Sequence, residues 1–194
     1  MIEAIQIFLD AGYRAPMFNL ENLIRRANID IVPVYYSWCL ERNINSDVEL
    51  FGCGDGLNPE YWKMGPKPQE IATMIKRIQG VRQEFGMPNA EVIMPHIFGP
   101  CRFFESGLYF GVDGHIRACS NSNKTLAWVS DLDPVKTAFE SELFKCRHTL
   151  RQELMSKPCL SCDRWNSCKG GCRATAEGSG NPFAGYELCP VSYL

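Results

Sequence analysis

The chain has 194 residues, of which 45% are apolar and 22% charged, and a net charge of -2. That is the composition of a globular protein long enough for one sizeable core or two small domains. The near-neutral charge argues against nucleic acid or an anionic membrane as the main partner. The first residues carry Glu3 and Asp10 where a signal peptide needs basic side chains. The longest apolar run, 32–40, is interrupted by Pro33 and Ser37 and is too short to span a bilayer. A cytoplasmic compartment is therefore expected, and there thiols stay reduced. Cys39 and Cys53 are the only cysteines in the first hundred residues, and the remaining eight of the ten follow. This shift in composition places a domain boundary near residue 95, dividing the chain into 1–95 and 96–194.

In chain order, Ile2, Ile5, Ile7, Phe8 and Leu9 predict a helix over 1–12 that Gly12 closes as a C-cap. No capping residue precedes it, which reads as entry into the middle of a larger fold. An extended stretch near 16–24 follows. Asp30 is placed to cap a helix over roughly 31–42, where Val32, Tyr35, Tyr36, Cys39 and Leu40 recur at helical spacing. Residues 47–51 read as a short strand, ending in a glycine-rich loop over 52–56. Residues 68–85 predict an amphipathic helix with Ile71, Met74, Ile75, Ile78 and Val81 on one face, and 91–97 a further extended segment. The alternation argues for βα units around a parallel sheet, the α/β class. So few strands make a fragment of such a sheet, with an exposed edge, or one that needs a partner. Cys39 reads as core and Cys53 as a small apolar filler. The loop over 52–56 reads as a flexible turn, since a lone glycine-rich run is a weak motif.

Beyond Pro100 the character changes. Two extended runs, 108–112 and 115–119, flank Asp113-Gly114, a dipeptide that favours a type I′ hairpin turn. Residues 134–155 carry Val135, Ala138, Phe139, Leu143, Phe144, Leu150 and Leu154 at helical spacing, with Pro158 as the stop. Cys146, on that helix, reads as packed.

Then comes Cys159-Leu-Ser-Cys162-Asp-Arg-Trp-Asn-Ser-Cys168-Lys-Gly-Gly-Cys172, with Cys189 further on. A hydrophobic core does not need thiols at that density. A metal centre or a disulfide knot does, and a reducing compartment favours the metal. A cubane iron–sulfur cluster takes one thiolate on each of four irons, and short Cys-x2-Cys spacing lets one turn of backbone serve two of them. Structural zinc prefers two separated Cys-x2–4-Cys knuckles, and only the first pair here has that form. Gly170 and Gly171 let the backbone close on inorganic sulfide and aim N–H groups at it. Arg164, Lys169 and Arg173, interleaved with the thiols, can offset the negative charge of a cluster.

Cys101, twelve residues, Gly114-x4-Cys119, then Cys159-x2-Cys162-x5-Cys168-x3-Cys172 and Cys189 resemble the seven-cysteine signature of the SPASM domain. That domain is the auxiliary-cluster module of radical S-adenosylmethionine (SAM) enzymes, including anaerobic sulfatase-maturating enzymes and peptide maturases. Residues 1–95 are similar, less specifically, to the last βα units of the radical SAM partial TIM barrel. There 26–30 and the helix after them resemble the segment entering the fifth barrel helix. The resemblance implies an α/β barrel fragment followed by a small α+β SPASM domain with a β-hairpin and iron–sulfur clusters.

It further implies that Cys159, Cys162, Cys168 and Cys189 hold one [4Fe–4S] cluster, auxiliary II, and that Cys101, Cys119 and Cys172 hold another, auxiliary I. Gly114 would turn the hairpin, and Gly170 and Gly171 would pack on a cluster. Some family members supply auxiliary I with a fourth cysteine soon after the first. None lies between Cys101 and Cys119 here, which leaves an open iron or ligation by Cys146 or another group. The Cys-x3-Cys-x2-Cys motif that binds the SAM-cleaving cluster is not in these residues. The polypeptide alone is therefore not expected to cleave SAM; it reads as the C-terminal portion of a radical SAM oxidoreductase. Its expected partners are a peptide or protein substrate and an N-terminal radical SAM half or a reductant protein, with SAM and a third [4Fe–4S] cluster on the other half. The alternative is a non-catalytic zinc or iron–sulfur module that recognises a partner or a peptide leader.

Overall fold

The computed structural model describes residues 2–50, 52, 59–87, 101 and 107–194. The chain divides into two compact units: Met1–Phe51, Gly65–Met94 and Pro190–Leu194 form the first, and Gly52–Met64 with Pro95–Cys189 the second. One boundary lies between Met94 and Pro95, but 52–64 and 190–194 belong to the opposite unit from the one a single cut there would give. Two packing interactions account for the difference. The buried Tyr61 is hydrogen-bonded through its side chain to the buried Tyr186, which draws the helix α3 (Pro59–Met64) into the second unit. Lys76 Nζ donates to the Tyr193 carbonyl at 2.9 Å, which ties the turn Val191–Tyr193 to the first.

The first unit contains a βαβ unit. Strand β1 (Asn19–Ile24) pairs in parallel with β2 (Asn45–Leu50), Asn19 opposite Asn45 and Ile24 opposite Leu50. A parallel pair needs a crossover, and α2 (Val32–Glu41) supplies it. Ile24, Val48 and Leu50 are buried under the helices, while Asn19, Glu21, Asp47 and Glu49 alternate with them on the opposite face. The long helix α4 (Pro68–Glu84) buries Ile71, Ala72, Met74, Ile75 and Ile78 along one stripe. At about 1.5–3 kcal/mol for each large side chain fully buried, that stripe is what holds it in place. Gly86, just beyond its end, takes a φ of 65°. The first helix, α1 (Ile2–Asp10), docks Ile5 and Leu9 against Cys39 and Ile44, and Gly12 follows it at φ 88°. Asp30 does not cap α2: the cap position is Ile31, without a side-chain bond, and the helix relies on a proline in its first turn. Asn28 fixes the preceding turn instead, accepting from Arg25 N–H and donating to the Leu23 carbonyl. Cys53, the rest of the 52–56 loop beyond Gly52, and the extended segment over 91–97 lie outside the described residues.

Cys39 is fully buried among Ile5, Leu9 and Ile44, and burial pushes its thiol above the ordinary value. The folded chain therefore keeps this proton at a pH where the unfolded chain has lost it, so the Cys39 contribution to stability falls as pH rises past 9.0. Cys39→Ala should cost on the order of 1 kcal/mol at neutral pH. The gap between wild type and variant in thermal melts should narrow toward pH 10; a gap constant with pH would show that this thiol does not titrate out of step with unfolding.

In the second unit β3 (Tyr109–Phe110) and β4 (His115–Arg117) form the expected antiparallel hairpin, and β5 (Ala127–Trp128) adds a third strand beside β4. Gly114 takes a φ of 82° and Asp113 does not take a positive one. The turn is therefore not type I′, which needs both central residues in that region. Asp113 instead accepts from His115 N–H and pairs with Arg117. The helix expected over 134–155 is two short helices, α5 (Pro134–Glu140) and α6 (Glu142–His148), then a single 3-10 turn, Gln152–Leu154. Ser141 causes the break: its backbone is extended (ψ 142°), and its hydroxyl caps α6 by accepting from Phe144 N–H at 3.2 Å. Ile116, Ala118, Leu126, Ala127, Ala138 and Phe144 form the core between sheet and helices.

Candidate metal centre

Each cysteine of the candidate centre is placed by a short local structure. Cys159 opens a 3-10 turn, Cys159–Ser161, and Gln152 Nε2 donates to the carbonyls of Cys159 (3.1 Å) and Cys162 (2.9 Å). This pins both ends of the Cys-x2-Cys step to one side chain. Cys168 ends the four-residue helix α7 (Trp165–Cys168). Lys169, Gly170 and Gly171 then all take left-handed backbone, with φ of 53°, 82° and 79°. That reversal carries the chain to Cys172, which caps α8 (Arg173–Gly178). A Cβ on Gly170 would stand 2.8 Å from Arg173 Nη2 and 2.9 Å from Met155 Cε, so the ends of both side chains would have to shift. The segment after α8 is stitched back by Tyr186 N–H to the Gly170 carbonyl (3.0 Å), and Cys189 N–H closes on the Tyr186 carbonyl (3.0 Å). Cys101 and Cys119 come from before and after the hairpin.

The thiols fall into two neighbourhoods. Cys119 lies close enough to Cys172 and Cys101 to feel their charge. Cys159 stands in the same relation to Cys189 and Cys162, and Cys168 to Cys159 and Cys162. No disulfide joins any two of the nine cysteines described. Among the described residues, no three His, Cys, Asp or Glu side chains converge as tightly as a single metal ion requires. A cubane spreads its thiolates over separate irons and takes a wider cage than one ion does. Cys146 sits half-buried on α6.

Burial pushes the Cys119, Cys159 and Cys168 thiols above the ordinary value. Two sets of backbone donors act the other way. Backbone hydrogen bonding from Asn121 and Ser122 lowers the value of Cys119, and from Gly170 and Gly171 that of Cys168, while the Ser122 and Gly171 N–H groups also close on the Cys119 and Cys168 carbonyls at 3.2 Å. These donors are what an anionic sulfur needs, and a bound cation is what releases the protons. Arg173, only 5% exposed, donates to the carbonyls of Gly170, Gly171 and Pro182. Burial lowers its affinity for a proton, while the nearby thiols of Cys159, Cys172 and Cys168 raise it. Among the described residues no carboxylate forms an ion pair with Arg173. The Glu177 carboxylate, already engaged by Arg147, offsets part of that buried charge, and thiolates at Cys159, Cys172 and Cys168, as metal-ligating sulfurs are, would offset the rest. The donor set therefore fits a thiolate-held cluster at each neighbourhood. Of the other two interleaved cations, Lys169 lies over the Trp165 ring at 5.5 Å and Arg164 occupies the cap of α7.

Comparison with protein-family profiles, with characterised proteins and with solved structures finds no match to this chain.

Three further contacts of the site are not evident from the cysteine spacing. Arg147 on α6 forms a fork with Glu177 on α8, at 3.1–3.2 Å, with side chains 2% and 4% exposed. The charge of Arg147 reaches Cys119 and Cys101. Gly185 passes so close to Cys159 that a Cβ there would stand 2.5 Å from the sulfur, and a Cβ on Gly52 would stand 3.4 Å from the Cys172 sulfur. Nothing in the spacing points to Arg147 or Gly52; Glu177, a lone acid in the small-residue run 174–180, is the one readable hint.

Proposed function

We propose that the second unit holds two [4Fe–4S] clusters as an auxiliary-cluster domain of the SPASM type, serving radical modification of a peptide or protein. What supports this reading is the sorting of the thiols. The resemblance to the SPASM signature implies that Cys101, Cys119 and Cys172 hold one cluster and Cys159, Cys162, Cys168 and Cys189 the other. The thiol neighbourhoods of the structure follow the same partition, although Cys172 lies in sequence among the residues of the other set. When bound, the clusters supply one-electron chemistry, and an iron lacking a cysteine ligand offers a position to orient substrate. The residues of this chain do the rest. Backbone hydrogen bonding from Asn121, Ser122, Gly170 and Gly171 favours the thiolates, Arg173 offsets charge, and the glycine at 185 admits the Cys159 thiol. The SAM-cleaving motif would come from another polypeptide segment, and a cytoplasmic, reducing setting suits the thiols. Among the described residues no helix is long and apolar enough to cross a membrane.

Iron, zinc and acid-labile sulfide per chain, measured after anaerobic purification and reconstitution, test the proposal. About eight iron and eight sulfide are expected, and Cys162→Ala should retain about four of each. One or two zinc with no sulfide, as closed thiolate sites hold, would overturn it.

A further inference from the structure

The two thiol neighbourhoods share one buried charge. Cys172 and Arg173 are consecutive, yet Cys172 stands with Cys119 and Cys101, while the thiols of Cys159 and Cys168 act on the Arg173 guanidinium together with that of Cys172. The guanidinium cannot move to one side, because the carbonyls of Gly170, Gly171 and Pro182 hold it. One turn along α8, four residues from Arg173, lies Glu177, and its carboxylate is engaged by Arg147. Two buried guanidiniums thus share the charge of one buried carboxylate, which only Arg147 contacts, and the group leaves a net positive charge beside the sulfurs.

We propose that Arg173 is a positioning residue common to both clusters: its fixed charge sets their two reduction potentials together, and Glu177 limits its effect. The proposal rests on the two-cluster reading above. A cation held in a low-dielectric interior stabilises the more negative, reduced form of a nearby cluster and raises its potential. Its removal lowers the potential. A charge that served one site would move one potential; a charge between the sites moves two.

The test uses the full 194-residue chain, reconstituted anaerobically and titrated with dithionite while the clusters are followed by electron paramagnetic resonance. In Arg173→Gln both midpoint potentials should fall, and in Arg173→Lys, which keeps the charge, both should stay near wild type. In Glu177→Gln both should rise. If iron and sulfide show both clusters present and only one potential moves, or neither, the shared role of Arg173 is wrong and the two-cluster reading stands. If Arg173→Gln fails to fold or to load, Arg173→Met, which keeps the packed stem without the charge, decides by the same criterion. If the wild-type chain holds no iron or sulfide, the two-cluster reading itself fails, and this inference with it.

Discussion

Glu177→Ala is expected to destabilise the second unit by about 3–5 kcal/mol, the range for breaking a buried ion pair by removing one partner. The carboxylate makes three contacts of 3.1–3.2 Å with Arg147, and both side chains are almost wholly out of solvent. Burial alone pushes the Glu177 carboxyl upward and the Arg147 guanidinium downward, and each partner opposes the shift of the other. Without Glu177, Arg147 would be a buried cation without its carboxylate, and Arg173 would lose the charge of Glu177 as well. The double variant Glu177→Leu with Arg147→Met removes both charges and should recover most of the loss, because the pair contributes less than the penalty for splitting it. Denaturant unfolding of the metal-free chain, followed by tryptophan fluorescence, reads both. A loss below about 1 kcal/mol for Glu177→Ala, the range of exposed pairs, would mean that the carboxylate is solvated in solution.

With two clusters bound as proposed, Gly185→Val is expected to abolish one and leave the other. A Cβ at 185 would lie 2.5 Å from the Cys159 sulfur, well inside contact distance, with the next atom, Cys159 Cβ, at 3.8 Å. The clash is thus with the sulfur alone. In the metal-free chain that thiol can rotate away, and the cost stays within the 1–3 kcal/mol or so typical of overpacking. A ligating sulfur cannot rotate away without leaving its iron. Iron and sulfide per chain should therefore fall from about eight to about four, while the apo variant unfolds close to wild type. Full loading of Gly185→Val would show that Cys159 is not a ligand in that orientation.

How far the sequence could be read depends on the range of the interaction. Local periodicity located α1, α2, β2 and α4, and the dipeptide Asp113-Gly114 located the hairpin, because each is decided by side chains a few residues apart. The same local rules failed at Ser141, where apolar spacing continues through the chain but a hydroxyl cap restarts the helix. They also failed at Asp113, whose carboxylate makes a local hydrogen bond and an ion pair in place of left-handed backbone. The partition of the cysteines rests on the resemblance rather than on any local rule. The pairing of Arg147 with Glu177 spans 30 residues and follows no repeat, so only the folded chain brings it out. Gly185 was unreadable for the opposite reason: its role is the absence of a side chain.

The division of the chain between its two units has a kinetic consequence. The first unit is fastened by Lys76 to Tyr193, across 117 residues, and the second by Tyr61 to Tyr186. Neither fastening can form until almost all of these residues have been synthesised. Contacts of such range slow folding relative to a chain held by neighbours, and they leave a long-lived, partly ordered nascent chain. Tyr186 lies beyond Cys159, Cys162, Cys168 and Cys172, so the second unit gains its Tyr61 fastening only after those cysteines are made.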